Sequence, residues 1–442
     1  MQIKAEERAP TAETSSDDAL PSLPYRGYIL FMTMVVGALS VFDKRILTML
    51  ITPIRQEFNL SDNQLGLLMG MAFAVVYVLA CIPAARLADR WSRRNVIAIA
   101  VAAWSVMTAV CGMAQNFVQL FLARVGVGIG EAGGSAPVQA LISDNFPQRQ
   151  RGTAFSIYLI GSSIGIGGGT AFGAWALEVF DWRWAFIIAG LPGLIIAPLF
   201  FLTMPNSRAG LADGVAKTYE QPPLLKTLKV LVSIRTIPLM LTGATLSSLL
   251  TMGLSDWMPQ LLERSHGLAP MEFGAKLGGF MALGSIIGHL AGGPIADWQS
   301  RRNPRWHLWQ PAIFCIIGAG LGALAYTGSA ERIYPFIGLQ FLLNGMFAAP
   351  MMFMLTTLAP VWARATSAAL ALFMINLVGL GLGPWLIGML SDLYRPAYGE
   401  ESLRMAMLSA LMLAIPVAIL FLLASRHYRG DLEAARQRLA AE

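Results

Sequence analysis

An all-α membrane protein of twelve transmembrane helices, arranged as two six-helix pseudo-symmetric halves, is predicted by three observations on this 442-residue chain. Hydrophobic residues make up 55% of it and charged residues 13%, more apolar surface than a water-soluble core can hide. The apolar residues fall into runs of roughly 18 to 25, the length at which a helix crosses about 30 Å of hydrocarbon. A short charged motif recurs at the same place in the two halves.

The runs place spans at about 25–50, 63–87, 95–113, 117–141, 152–176, 184–204, 236–262, 273–296, 308–328, 332–356, 364–390 and 402–424. Residues 1–24 are polar, centre on Ser15, Ser16, Asp17 and Asp18, and read as a disordered tail with no signal-peptide pattern. Residues 25–204 form the first half, 205–235 a linker with Gly210, Gly214, Pro222 and Pro223, 236–424 the second half and 425–442 a basic tail.

The formal charge of +6 lies in short stretches between apolar runs rather than in one stripe, so it reports topology and not a nucleic-acid partner. One set of connections holds Lys4, Arg8, Arg26, Arg86 to Arg94, Arg149, Arg151, Arg208, Lys217, Lys226, Arg301, Arg302 and the C-terminal tail, whereas the other is poor in Lys and Arg. The rich set, with both termini, is expected in the cytoplasm of a bacterial inner membrane.

Cys81, Cys111 and Cys315 each sit inside an apolar run with no metal-ligand spacing, and only four histidines are present. No metal or cofactor is expected. The chain has no Gly-rich phosphate loop and no nucleophile elbow, which argues against an enzyme and against ATP as the drive. A monomer is expected.

After span two the sequence reads Ala88-Asp89-Arg90-Trp91-Ser92-Arg93-Arg94, and after span eight Ala296-Asp297-Trp298-Gln299-Ser300-Arg301-Arg302. This is an internal duplication, and two parallel repeats with a midplane site between them are a transporter architecture. The loop resembles the cytoplasmic signature of the major facilitator superfamily at Ala85, Asp89, Arg90, Ser92, Arg93 and Arg94. The second copy departs from it with Trp298 in place of the first basic residue. The resemblance implies a major facilitator fold and a cytoplasmic gate of Asp89, Arg90, Arg93 and Arg94, with Asp89 meeting the N-terminal end of span eleven and Arg90 or Arg93 pairing with Asp144. The alternative is that these charges only anchor the loops.

A narrower resemblance is to the spinster-like branch, through Asp43-Lys44 in span one and Arg124, Gly128, Gly130, Glu131 and Ala132 in span four, with Ser61 to Leu67, Trp104-Ser105 and Pro192-Gly193. Lys44 departs from the branch's arginine, so Lys44 and Arg45 both stand as candidates for its role. The resemblance implies lysophospholipid or sphingoid substrates.

Charges near the bilayer centre are rare, because each costs roughly 2.5–3.5 kcal/mol on insertion scales, and they usually face a cavity or a partner. Arg124 and Glu131, seven residues apart, share one face of span four. We expect Glu131 and Asp43 as proton-coupling carboxylates and Arg124, Lys44 and Arg45 as their cations or as holders of an anionic headgroup. Fixed ion pairs that merely join spans one and four are the alternative. Asp256, near the outer end of span seven, and His289, alone on apolar span eight, are weaker proton sites.

Gly161, Gly165, Gly169 and Gly173 give span five a smooth face, expected to be a hinge or a seam between the halves. Trp257, Phe347, Met351, Met354 and Phe373 are a candidate apolar cavity wall, the alternative being lipid-facing or core packing. Together these features predict a proton-coupled secondary transporter moving an amphiphilic, lipid-like substrate by alternating access. The alternatives are a proton-coupled transporter of a small organic anion or drug-like solute, and an uncoupled lipid translocator.

Overall fold

The computed structural model describes residues 21–205 and 223–441 and, among them, is helical throughout. Most of the expected tail 1–24 and of the 205–235 linker lies outside the described residues; of the linker, Leu224–Ser233 forms a helix. Nine runs among the described residues are long and apolar enough to cross a membrane. The last of them, Thr366–Arg438, holds spans eleven and twelve. Span one, within Leu23–Phe58, and span four, Phe117–Ala132 with Ser135–Asn145, complete the twelve-helix fold.

Local chemistry sets the helix ends. Ser61 and Gln64 form a capping box at the start of span two, while Ser92, Asn116 and Asp181 cap spans three, four and six with their side chains. Asn59 closes the first helix in the left-handed conformation at φ 50°. Several helices run past the expected spans, span one to Phe58 and span eleven to Tyr398. Extra turns that project beyond the hydrocarbon carry no apolar signal.

The outer surface of the bundle is apolar. Leu79, Ile82, Leu122, Ile195, Leu202, Leu283, Leu324 and Ile419 point outward and are half or more exposed. In water a surface of this kind would drive association, whereas in lipid it is solvated.

The halves meet along two seams. In one, span five faces span eight: a Cβ on Gly278 would lie 2.6 Å from the Gly167 carbonyl oxygen, and the Ser163 and Ser285 hydroxyls are 2.8 Å apart. In the other, span two faces span eleven, and each carries a π-helical stretch, Leu67–Met71 and Ile375–Leu382. The predicted stripe Gly161, Gly165, Gly169 and Gly173 is not the seam. It packs on span one of its own half, where a Cβ on Gly169 would lie 2.6 Å from the Phe42 carbonyl oxygen. The seam uses the neighbouring face, with Gly167, Thr170 and Ala174.

Span seven is broken. Its helix Thr236–Asp256 ends before Trp257, and an arm, Met258–His266, starts with Pro259 in its first turn.

Candidate functional site

A cavity of about 270 Å³ lies between the halves, with Lys44, Arg45, Arg124 and Asp256 among its lining residues. Its N-half wall comes from spans one, two, four and five, with Val41, Leu47, Thr48, Met69, Phe73 and Ile166. Its C-half wall is Ser248, Met252, Phe341, Ile375, Asn376 and Leu380.

Glycines in span four bring the charged side chains close. A Cβ on Gly128 would lie 2.8 Å from the Phe73 carbonyl oxygen, and one on Gly130 2.7 Å from the Trp104 nitrogen, so only bare backbone lets spans two and three press against this helix. That approach sets the Phe73 ring between two cations, with Lys44 Nζ 4.7 Å and Arg124 Cζ 5.7 Å from its centroid. Such contacts stabilise cations held away from water.

Lys44, not Arg124, is the partner of Glu131. Lys44 Nζ lies 2.6 Å from Glu131 Oε2, Ser40 Oγ donates to the same oxygen at 2.6 Å, and Lys44 donates to Ser40 at 3.2 Å. Their separation of seven positions keeps Arg124 and Glu131 on one face but about 10 Å apart along the axis, and no ion pair joins them among the described residues. Arg124 is 1% exposed, and its Nε and Nη1 have no hydrogen-bond partner among the described residues.

Asp43 makes no hydrogen bond or ion pair to this cluster among the described residues. It is buried against span three, where Thr108 Oγ1 donates to Oδ2 at 3.2 Å, while Oδ1 has no partner among the described residues. Arg45, on span one, pairs with the other half and not with span four: its Nη1 donates to Asp256 Oδ1 at 2.8 Å. His289 Nδ1 donates to its own helix, at the Ser285 carbonyl oxygen 2.8 Å away.

None of the residues expected to form the apolar wall lines this cavity. Trp257 is buried, with Nε1 donating to the Pro384 carbonyl oxygen at 2.8 Å. Met351 and Met354 belong to the core of the C-half, Phe347 packs edge-on against Phe421, and Phe373 faces outward. The shared face of span ten therefore points into its own half, where apolar packing outweighs solvation of a polar cavity.

At the repeated loop Arg93 pairs with Asp144 and donates to the Ala140 carbonyl oxygen at 3.0 Å, a contact within one half. Arg94 stacks over Phe201 and Arg90 is exposed, while the Asp89 side chain lies outside the described ones.

Hydrogen bonds and ion pairs between the halves concentrate at the end that carries Asp62. Arg264 grips Asp62 through both oxygens at 2.8 and 2.9 Å, and Ser391 donates to Oδ2 at 2.7 Å. The Asp392 carboxylate accepts from the Asp62 and Asn63 backbone at 3.1 and 2.7 Å, so an acid from span eleven caps the positive end of span two. Sequence reasoning missed this knot; the only hint was an acid just after Ser61 in the first turn of a helix.

A profile of the Major Facilitator Superfamily matches residues 33–330, about two-thirds of the chain. The chain belongs to this superfamily. This transporter is 29% identical over 438 residues to an MFS-type efflux pump of Mycolicibacterium smegmatis, covering 96% of this chain and 98% of that one. It is 27% identical to the D-galactonate transporter of Escherichia coli, over 83% of this chain and 88% of that one. Its fold matches an inward-facing, occupied bacterial homologue of the human lysosomal transporter Spinster with a TM-score of 0.80 and 26% identity, over 93% and 99% of the two chains. The protein is a transporter and not an enzyme.

Proposed function

We propose that the chain is a proton-coupled secondary active transporter of an amphiphilic, lipid-like anion of lysophospholipid or sphingoid type, working by alternating access. The observation that carries this reading is Arg124, a buried guanidinium lining the cavity with two nitrogens lacking a hydrogen-bond partner among the described residues. A charge-assisted bond from a phosphate or carboxylate head would satisfy it. Met252, Phe341, Ile375 and Leu380 offer an apolar wall opposite to receive a tail.

In this reading Glu131 exchanges its proton for Lys44. When Lys44 turns to the substrate the carboxylate loses its cation and takes up a proton, and when Lys44 returns the proton leaves. Ser40 follows either form, since a hydroxyl both donates and accepts. Asp43 is a second protonatable group and Arg45 a second cation. Arg90, Arg93, Arg94 and Asp144, with Asp89, form the gate at the cytoplasmic end, where both termini lie. The Asp62 end then faces outward and is closed.

A small hydroxy-acid anion is the second reading. It is favoured by the galactonate-transporting relative and by the absence of the expected aromatic wall from the cavity. Purified protein in liposomes under an imposed pH gradient, offered a lysophospholipid or galactonate, separates them. Gradient-driven uptake of the lysolipid is expected; uptake of galactonate alone would transfer the assignment to the second reading.

A further inference from the structure

Span one and the arm of span seven are joined by a polar zipper. Arg45, Thr48, Thr52 and Arg55 lie three or four residues apart and so share one face of span one. Opposite them, Arg45 donates to Asp256 at 2.8 Å, Gln260 Nε2 donates to the Thr48 carbonyl oxygen at 2.6 Å, and the Thr52 hydroxyl donates to Glu263. The outermost tooth is Arg55, 3.7 Å from the Asp62 carboxylate that Arg264 holds.

The innermost tooth borders the cavity, since Arg45 and Asp256 both line it. Asp256 is also the last residue of its helix, immediately before the break at Trp257. A carboxylate there faces the negative end of the helix dipole, so its charge depends on Arg45. Pro259 removes a backbone N–H from the first turn of the arm, which makes this break a place where the arm can turn. Both members of the pair are largely buried, 7% and 6% exposed, and meet water only on the cavity side, so losing one charge leaves the other poorly compensated.

We propose that Asp256 is a second proton-exchanging residue, and that its protonation releases Arg45 and lets the Met258–His266 arm part from span one. The proposal rests on the proton-coupled reading but names a different residue. One proton passes from cavity water to an Asp256 carboxylate oxygen, the contact with Arg45 Nη1 breaks, and Arg45 keeps its charge. The charged group in contact with Asp256 is Arg45; Lys44 and Arg124 line the same cavity, Ser255, Ser248 and Asn376 are neutral, and along the arm the titratable or charged groups are Glu263, Arg264 and, at its far end, His266.

The test is a distance between spin labels at Gln56 and Met271, on opposite halves at the Asp62 end, followed as pH is lowered. It uses the full-length protein in nanodiscs with Glu263→Gln and His266→Gln, which remove the other acid and the histidine of the arm. In that background the distance should lengthen on acidification. Adding Asp256→Asn should give the long distance at every pH, and Asp256→Glu should restore the response. A merely structural pair would lower thermal stability with Asp256→Asn yet leave the pH response in place, which overturns the proposal. Glu131→Gln should leave the response intact; if it removes the response instead, the proposal fails while the Glu131 reading stands.

Discussion

Arg264 of the C-half holds both carboxylate oxygens of Asp62 in the N-half, at 2.8 and 2.9 Å, and Asp62 is 1% exposed. Removing one partner of a buried pair is expensive because the other charge stays behind. Arg264→Ala should therefore disfavour the closed Asp62 end by on the order of 3 kcal/mol, roughly a hundredfold in the open-to-closed ratio. Spin-label distances across that end should lengthen, and an unchanged distribution would reduce the knot to decoration.

Arg124→Ala should weaken substrate binding before it affects anything else. Hydrogen bonds to charged groups contribute about 1.5–3 kcal/mol, so affinity should fall roughly ten- to hundredfold. Calorimetry of purified protein with the transported anion measures it. Arg124→Lys should recover only part, because an ammonium lacks the planar fork of donors.

Glu131→Gln keeps the shape of the side chain but carries no proton. Substrate binding and counterflow exchange should persist, while accumulation driven by a pH gradient should disappear. If the variant concentrates substrate as well as the parent does, Asp43 or Asp256 takes the coupling role.

Glu263, on the arm beyond span seven, gives a pH dependence of its own. Burial pushes its carboxyl up to about 7, against the Thr52 hydroxyl and Arg264, which pull it down. A carboxyl raised in the closed arrangement stabilises that arrangement fully below its ordinary value of about 4.5, and the contribution is lost as pH rises through about 7. Thermal unfolding followed from pH 5 to 8 should show this loss, and Glu263→Gln should flatten it.

Topology can be checked directly. With Cys81, Cys111 and Cys315 replaced, a cysteine at Ser15 or Ser207 should resist a membrane-impermeant reagent applied to intact cells. Efficient labelling of either would reverse the assignment of the Asp62 end to the outside.

The bundle was legible because lipid imposes length and hydrophobicity on every span, and the motif at Asp89 repeats at Asp297. Spacing also placed Arg124 and Glu131 on one face, but a face is not a contact: two turns separate them, and Lys44 closes the gap from another helix. The Asp62 knot and the pairing of Arg45 with Asp256 join residues more than two hundred positions apart, so no local pattern announces them. Phe347, Met351 and Met354 share a stripe that helical period reveals, yet only the packing of span ten against Phe421 decides which way it points.

The seam between spans five and eight bears on how fast the halves can rock. Where Gly278 lies against Gly167 the two backbones touch beside only the small side chains of Thr170 and Ala282, so tilting one helix on the other has few long rotamers to unpack. The hydroxyls of Ser163 and Ser285 tie the same two helices together, so a tilt of one on the other would pivot near them. Adding a methyl group at Gly278 would act as a wedge, slowing exchange between states while leaving the chemistry of the cavity untouched.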